Sequence, residues 1–280
     1  MLAERWSLEA DGRGRLTLPG LLQGFPETAH GGAVLAAFDQ IAAPWISPAA
    51  RTVTAQIQKS VPLETPLPLR VEPAPGDVSL TLGEDRRPLA RGRVASAPHA
   101  SAPARDGWGG VPAGGLALPT SRGCLACGTE NPVGLRVQFR FEDRWVWAQC
   151  RPTETYRTPD GRIAPVLYTV LLDEMAWWLG ALASGEAGVT TEFSVTLYRP
   201  AHPFGETLLA LGARDRVAVT DERGHFWMTE TAVLAPDGAP LAWGRITFAG
   251  SRAYSKRLVP KLLEWNPPER LRPIFPTHIP

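Results

Sequence analysis

The chain has 280 residues, with 29 Lys and Arg against 28 Asp and Glu, so its formal net charge is +1. It carries no basic stripe of the kind that binds nucleic acid, and no apolar run that we consider long and uncharged enough to span a membrane. Three cysteines do not make a disulfide framework, and the first residues lack the apolar core of a signal peptide. We therefore expect a cytoplasmic protein of two domains, without nucleic-acid or membrane partners.

The first predicted elements are a strand over residues 15–18, a loop over 20–29 and a helix over 29–43. The helical segment is rich in Ala and Leu, contains no internal Pro and is apolar on nearly every side, which is typical of a buried helix. Short runs with partial β-branched alternation follow it and predict strands at 51–61, 67–71, 78–82 and 89–95.

Two features of this helix point to a site. Asp39 interrupts the apolar run, and a buried carboxylate without a partner costs several kcal/mol, so Asp39 either pairs with a neighbour or serves chemistry. Gly31 and Gly32 stand where the helix begins and where backbone N–H groups lack acceptors. They form either a plain glycine-rich helix start or an oxyanion hole, in which N–H groups bind a substrate carbonyl.

The spacing excludes a site built from this helix alone. Gly31 and Asp39 are eight residues apart, which corresponds to roughly 12 Å along a helix. One carbonyl group cannot reach both. If the glycines bind a carbonyl, the reacting carboxylate must come from another helix.

The remaining elements begin after residues 97–120, which are rich in Gly, Pro and small residues and predict a linker. Strands are expected at 134–141 and 145–150, and a second apolar helix at 163–183 with Pro165 in its first turn. Further strands are expected at 190–198, 207–214, 218–220, 225–235 and 241–248. Residues 251–280 predict an extended, Pro-rich tail with one short helix at 258–265.

The two halves repeat each other. Asp39 and Asp173 are 134 residues apart, and the run 88–93 recurs as 240–245, with Pro-Leu-Ala first and Gly-Arg last. The first copy is shorter between Pro62 and Pro88, which predicts either shorter strands or a clipped hairpin. Each copy should wrap one helix in a curved antiparallel sheet, which gives an α+β fold with domains at 1–96 and 121–250.

These residues resemble the hotdog-fold thioesterases, especially the phenylacetate-pathway and 4-hydroxybenzoyl-CoA branch. His30-Gly31-Gly32 with Asp39 nine residues after His30 matches that signature, and the second copy matches through 124–128, 131–135 and 198–200. The resemblance covers about residues 14–250. It implies a double hotdog with one continuous sheet, in which each site takes a helix start from one copy and a carboxylate from the other.

The second copy departs from the signature. Ala164-Pro165-Val166 replaces His-Gly-Gly, and Pro165 has no N–H to donate. The resemblance therefore implies one working site, formed by His30, Gly31 and Gly32 with Asp173, and a degenerate site that contains Asp39 and Pro165. The implied activity is hydrolysis of an acyl-CoA or acyl-carrier-protein thioester, without a cofactor and in a chain that could form a homodimer.

Several further residues are candidates for substrate contact. Gln23 lies seven residues before His30, Glu174 is adjacent to Asp173 but about 100° away on the helix, and Arg199 ends a strand. For Glu174 a structural role or a contact at the tunnel wall is expected, and for Arg199 a solvated strand end is the alternative. Cys124 and Cys127 form a Cys-x-x-Cys pair without a second pair at zinc spacing, so we expect a packed loop and no metal.

Two other classes of function stay open. The first is a non-catalytic acyl-thioester-binding protein, since one site has already lost its motif. The second is a hotdog dehydratase or hydratase, which needs a paired Asp and His at the helix start. It ranks lowest because the second copy has no such His and the first copy has His30 alone.

Overall fold

The structure is a computed structural model that describes residues 5–100, 114–200 and 202–279. Its N-terminal half contains six strands and one long helix. In chain order these are β1 (Trp6–Leu8), β2 (Arg13–Leu16), α1 (Gly31–Ala42), β3 (Arg51–Ile57), β4 (Leu67–Ala74), β5 (Asp77–Glu84) and β6 (Arg87–Ser96).

The C-terminal half repeats this plan with additions. It contains β7 (Leu116–Ala117), β8 (Arg140–Phe141), β9 (Trp145–Cys150), α2 (Val166–Ser184), β10 (Gly188–Leu197), β11 (Leu208–Ala213), β12 (Ala218–Val219), β13 (Phe226–Leu234) and β14 (Pro240–Gly250), followed by α3 (Arg252–Leu263) and α4 (Pro268–Leu271). The predicted clipping of the first copy is confirmed. Only two residues join β4 to β5, whereas residues 214–225, with β12 among them, join β11 to β13.

All the strands of the described residues belong to one antiparallel sheet. Its order is β1-β2-β4-β5-β6-β3-β10-β14-β13-β11-β9-β8-β7, with β12 beside β13. The two halves meet where β3 pairs with β10, with Thr52 opposite Thr196 and Ala55 opposite Phe193. Outward from this junction the strands of both halves follow one another in corresponding order, so the predicted continuous antiparallel sheet is confirmed.

The two long helices pack against this sheet and against each other. Residues of α1 and α2 are buried along nearly their whole length, as the all-round apolar sequence requires. At the contact, a Cβ atom on Gly32 would lie 2.4 Å from the carbonyl oxygen of Thr169, so only glycine allows this approach of the backbones. The Thr169 hydroxyl in turn donates a 2.7 Å hydrogen bond to the Gly32 carbonyl oxygen.

Helix α2 also corrects one expectation from the sequence. Among the described residues it is the one helix whose length and apolar composition would suffice to span a membrane. Most of it is buried inside the fold, where it contacts α1 and strands β10, β11, β13 and β14. Its apolar character is therefore that of a core helix.

The predicted strand at 134–141 is confirmed only at Arg140 and Phe141. Arg136 has a positive φ of 52°, which interrupts an extended strand. The N–H groups of Leu135 and Val137 donate to carbonyl oxygens of Leu125 and Ala126 instead of to a sheet neighbour. This segment therefore packs on the loop that contains Cys124 and Cys127.

The predicted extended tail is wrong. Residues 252–263 and 268–271 are helical, and the tail buries Leu258, Leu262 and Phe275 against the core. Asn266 anchors it, because its side chain exchanges hydrogen bonds of 2.9 and 2.8 Å with the backbone of Thr120. Within the predicted linker, residues 101–113 lie outside the described residues, whereas β7 belongs to the sheet.

Candidate active site

The start of α1 lies against the middle of α2. Asp173 is buried, and its Oδ2 atom is 2.7 Å from the backbone nitrogen of Gly32 and 2.8 Å from His30 Nδ1. The second oxygen, Oδ1, accepts a 2.7 Å hydrogen bond from the Thr190 hydroxyl. A carboxylate from the second long helix therefore lies at the start of α1, as the spacing of Gly31 and Asp39 requires. The two glycines have different roles there.

Gly32 orients the carboxylate. Nδ1 of His30 lies at hydrogen-bond distance from an acceptor-only carboxylate and therefore carries a proton. It cannot then accept from the Gly32 N–H, 3.2 Å away, and that N–H donates to Asp173. The Gly32 N–H is thus engaged within the protein and does not face a ligand.

Gly31 has the other task. As the first residue of α1, it has an N–H group without an intrahelical acceptor, at the positive end of the helix dipole. A Cβ atom there would lie 2.8 Å from Asp173 Oδ2 and 2.9 Å from Phe193 Cζ, so glycine is needed for the close packing. Gly31 lines the adjacent cavity and is the donor that a bound carbonyl could reach.

His30 bridges the two acids of α2. Its Nε2 atom lies 3.3 Å from Glu174 Oε2 while Nδ1 faces Asp173. Burial alone would lower the pKa of His30, but the charge and hydrogen bond of Asp173, followed by those of Glu174, raise this pKa to about 10. Without another ligand, His30 is therefore a buried imidazolium between two carboxylates.

Glu174 also meets the Cys-x-x-Cys loop. Its Oε1 atom accepts a 3.2 Å hydrogen bond from Trp178 Nε1, and its Oε2 atom lies 3.5 Å from Cys124 Sγ. The hydrogen bond with Cys127 lowers the pKa of Cys124, but burial and the Glu174 charge outweigh it and raise that pKa. The pKa of Cys127 is raised by its hydrogen bond with Cys124, by burial and by Glu174.

These groups line one end of a cavity of about 340 Å³. Apolar side chains form much of its wall, with Phe25, Trp177 and Trp178 on one side and Leu258, Leu262 and Trp265 of the tail on the other. Lys59 and Lys261 are exposed and line the same cavity, so they lie where it meets solvent. The cavity joins a polar inner end, an apolar wall and a basic mouth.

The structure separates the other predicted site residues. Gln23 lines the cavity, as does Glu174. Arg199 is exposed and is not among the residues that line the cavity, so its assignment to substrate binding stays a prediction, whereas Lys59 lines the cavity. Sequence reasoning missed the tail residues, because a Pro-rich segment gave no sign of packing over the site.

Asp39 has a different environment from Asp173. The Arg51 guanidinium binds it through two hydrogen bonds, from Nε to Oδ1 and, at 2.6 Å, from Nη2 to Oδ2. Both side chains are largely buried. The first of the two readings of Asp39, pairing with a neighbour, therefore applies. Pro165 is the N-cap residue of α2 and makes no side-chain hydrogen bond there. The start of α2 has neither the two glycines nor the histidine that lie at the start of α1.

No family model matches the sequence, and no curated protein matches it. Solved structures match by fold. A candidate thioesterase II from Thermobifida fusca is 13% identical with a TM-score of 0.62, over 88% of this chain and 96% of that one. A hot dog fold protein of unknown function from Alicyclobacillus acidocaldarius is 12% identical with a TM-score of 0.58, over 89% and 97%.

Two further solved structures also match by fold. The acyl-CoA thioesterase II TesB2 from Mycobacterium marinum is 12% identical with a TM-score of 0.55, over 88% of this chain and 94% of that one. A dehydratase domain from Pseudomonas fluorescens matches with the same TM-score. These identities establish the fold alone. The predicted resemblance to the hotdog-fold thioesterases is thereby confirmed at the level of fold.

Proposed function

We propose that this chain is a double hotdog that hydrolyses an acyl-CoA or acyl-carrier-protein thioester at one composite site. The observation that carries the proposal is the 2.7 Å hydrogen bond from the Gly32 N–H to Asp173, which holds a carboxylate of the second copy beside the helix start of the first. The corresponding order of strands on either side of the β3–β10 junction supports an internal repeat as its origin.

In this proposal the thioester carbonyl oxygen binds at the Gly31 N–H. The positive end of the α1 dipole stabilises the negative charge that develops on that oxygen. Asp173 then removes a proton from an attacking water or attacks the carbonyl carbon itself, and the C–S bond breaks to release a thiol and an acid. His30 and Thr190 fix the orientation of Asp173 through its two oxygens.

The cavity supports the choice of substrate class. Its apolar wall suits an acyl group, and Lys59 and Lys261 suit the phosphates that CoA and the carrier-protein arm both carry. We place the protein in the cytoplasm because its three cysteines are free. Dimerisation of two such chains stays a prediction.

The test is thiol release from a panel of acyl-CoAs that differ in chain length and aromatic character. We expect turnover for at least one member, loss of that turnover in Asp173→Asn and retention in Asp39→Asn. Binding of acyl-CoA without release of thiol would instead identify the non-catalytic thioester-binding protein.

A hydratase or dehydratase is the second candidate, and one observation favours it. The sequence ranks it lowest because His30 stands alone, whereas in the structure His30 and Asp173 pair across the two copies at 2.8 Å. A dehydratase would remove water from a 3-hydroxyacyl thioester and leave the C–S bond intact. Incubation with 3-hydroxyacyl-CoA separates the two, because enoyl absorbance without free thiol indicates dehydration and free thiol indicates hydrolysis.

A further inference from the structure

The two cysteines of the second copy lie beside groups from both long helices. Cys124 Sγ, Glu174 Oε2 and His30 Nε2 all lie within 4.8 Å of one another. Cys127 is not a member of this group; its thiol hydrogen-bonds with Cys124 beside it. The ligands that the sequence lacks at zinc spacing are thus supplied to Cys124 in space, by one residue of α2 and by the cap of α1.

The separations match those of ligands around one ion. Zn–N and Zn–O bonds of about 2.0–2.1 Å and Zn–S bonds of about 2.3 Å, at tetrahedral angles, place N and O ligands about 3.3 Å apart and S and O ligands about 3.5 Å apart. The observed distances are 3.3 Å from His30 Nε2 to Glu174 Oε2 and 3.5 Å from Cys124 Sγ to the same oxygen.

The loop is a tight turn that fixes the position of the Cys124 sulfur. The Ala126 N–H donates to Cys124 Sγ at 3.3 Å, and the Gly128 N–H donates to the Cys124 carbonyl oxygen at 3.0 Å. A Cβ atom on Gly128 would lie 2.2 Å from the Cys124 carbonyl oxygen, so glycine is required for the turn to close.

Two of the ligands also have hydrogen-bond partners that orient them. Asp173 accepts from His30 Nδ1, which leaves Nε2 as the coordinating atom, and this carboxylate–histidine arrangement recurs at zinc sites. Trp178 donates to Glu174 Oε1 and leaves Oε2 for an ion. One thiolate, one carboxylate, one neutral imidazole and a divalent ion sum to a charge of zero, so the occupied site buries no net charge beside the start of α1.

We infer that Cys124, Glu174 and His30 form a three-ligand site for a divalent metal ion of the zinc class, with Cys127 next to it. The ion would fasten the loop at 120–128 to both long helices and fix the ring of His30 behind Asp173. It uses neither Asp173 nor Gly31, so the composite thioester site is left free.

The test uses full-length protein purified without chelators from zinc-supplemented cells. We expect one Zn²⁺ per chain by elemental analysis in the wild type and less than a tenth of that in Cys124→Ser. Cys150→Ala is the matched control, because Cys150 is a buried free cysteine outside the cluster, and it should retain the metal. Equal zinc in Cys124→Ser and the wild type would overturn the assignment.

A second measurement needs no variant. Apo protein titrated with Co²⁺ should show the visible bands of tetrahedral cobalt and a thiolate-to-cobalt charge-transfer band, both saturating at one equivalent. Wild type that takes up neither Zn²⁺ nor Co²⁺ under excess metal would overturn the inference and leave a hydrogen-bonded cluster. Both readouts are independent of turnover, so this inference and the proposed thioester hydrolysis fail or succeed separately.

Discussion

At the scale of single residues, two aspartates in corresponding helices have opposite surroundings. Asp173 receives a backbone N–H, an imidazole and a hydroxyl at the edge of a cavity, whereas Asp39 is held by one guanidinium. Corresponding positions on the two long helices therefore do not give the two carboxylates the same environment, because their hydrogen-bond partners differ.

We predict that Asp173→Asn lowers kcat/KM for thioester hydrolysis by at least about a hundredfold, since it removes the group that activates or performs the attack. Asp39→Asn should retain most of the activity per folded molecule. Thiol release by both purified variants, normalised to the folded fraction from thermal melts, checks this. Equal losses in the two variants would contradict the assignment of Asp173.

Asp39 and Arg51 should instead matter for stability. Arg51→Met leaves a buried carboxylate without its partner, and we expect the free energy of unfolding to fall by ~3–5 kcal/mol. The double variant Asp39→Leu with Arg51→Met should recover most of that loss, because an apolar pair of similar size needs no desolvated charges. Denaturant unfolding of both single variants and the double variant gives the coupling energy. Additive losses would show that the two side chains do not act as a pair.

At the scale of elements, the contact between α1 and α2 depends on Gly32. A Cβ atom there would lie 2.4 Å from the Thr169 carbonyl oxygen and 2.7 Å from Val170 Cα, both backbone atoms that cannot turn aside. Gly32 forms this contact and also donates its N–H to the Asp173 carboxylate. A change in the packing of the two helices should therefore also move that carboxylate.

We predict that Gly32→Ala lowers the free energy of unfolding by ~1–3 kcal/mol, as overpacking of a close contact does, and lowers activity with it. Gly114→Ala is the matched control, because an added Cβ there meets nothing within 4 Å and the backbone has no positive φ. Unfolding curves and thiol-release rates of the two variants give the comparison. A Gly32→Ala protein as stable as the control would mean that the helices can separate without cost.

Elements whose apolar residues recur with a helix or strand period could be predicted from the sequence. Where an element was predicted wrongly, the difference has a physical reason. The apolar helices and most of the strands were predictable because burial imposes their pattern on the sequence. The tail was not, since the few apolar residues that dock it, such as Leu258 and Phe275, are separated by Pro and charged residues. Its side-chain hydrogen bonds reach parts of the chain that are 68 to 146 residues away.

The site was predictable in its first half only. His-Gly-Gly and the offset of 134 residues located the α1 start and Asp173, but not the contact of Glu174 with His30. A rotation of about 100° separates neighbouring side chains on a helix, which argued against Glu174. His30 nevertheless contacts both acids, because its two ring nitrogens face opposite directions, one toward Asp173 and one toward Glu174.

At the scale of the whole molecule, the β3–β10 junction holds the two halves together. Thr52 and Thr196 lie opposite each other there, with their hydroxyl oxygens 3.2 Å apart. Both glycines of the site precede this junction in the chain and Asp173 belongs to the half beyond it. The proposed composite site therefore requires that the two halves stay joined.

We predict that Thr52→Cys with Thr196→Cys forms a disulfide under mild oxidation, because directly opposed residues of antiparallel strands have the Cα separation that a disulfide needs. The crosslinked chain should migrate faster on a non-reducing gel and keep its activity. Thr52→Cys with Val195→Cys is the control, since neighbouring residues of a strand point to opposite faces. A crosslink in the control alone would mean that the register is shifted by one residue.

The place of this junction in the chain also matters during synthesis. About 130 residues separate the end of β3 from the start of β10, and a ribosome that adds ~5–20 residues per second needs about 6 to 26 s to make them. Throughout that interval the nascent N-terminal half presents β3 as an open sheet edge, next to a finished α1. On a crowded polysome the neighbour that can pair with this edge is the same strand of the next nascent chain. Yield of the full-length protein should therefore depend on how quickly the second half follows the first out of the ribosome.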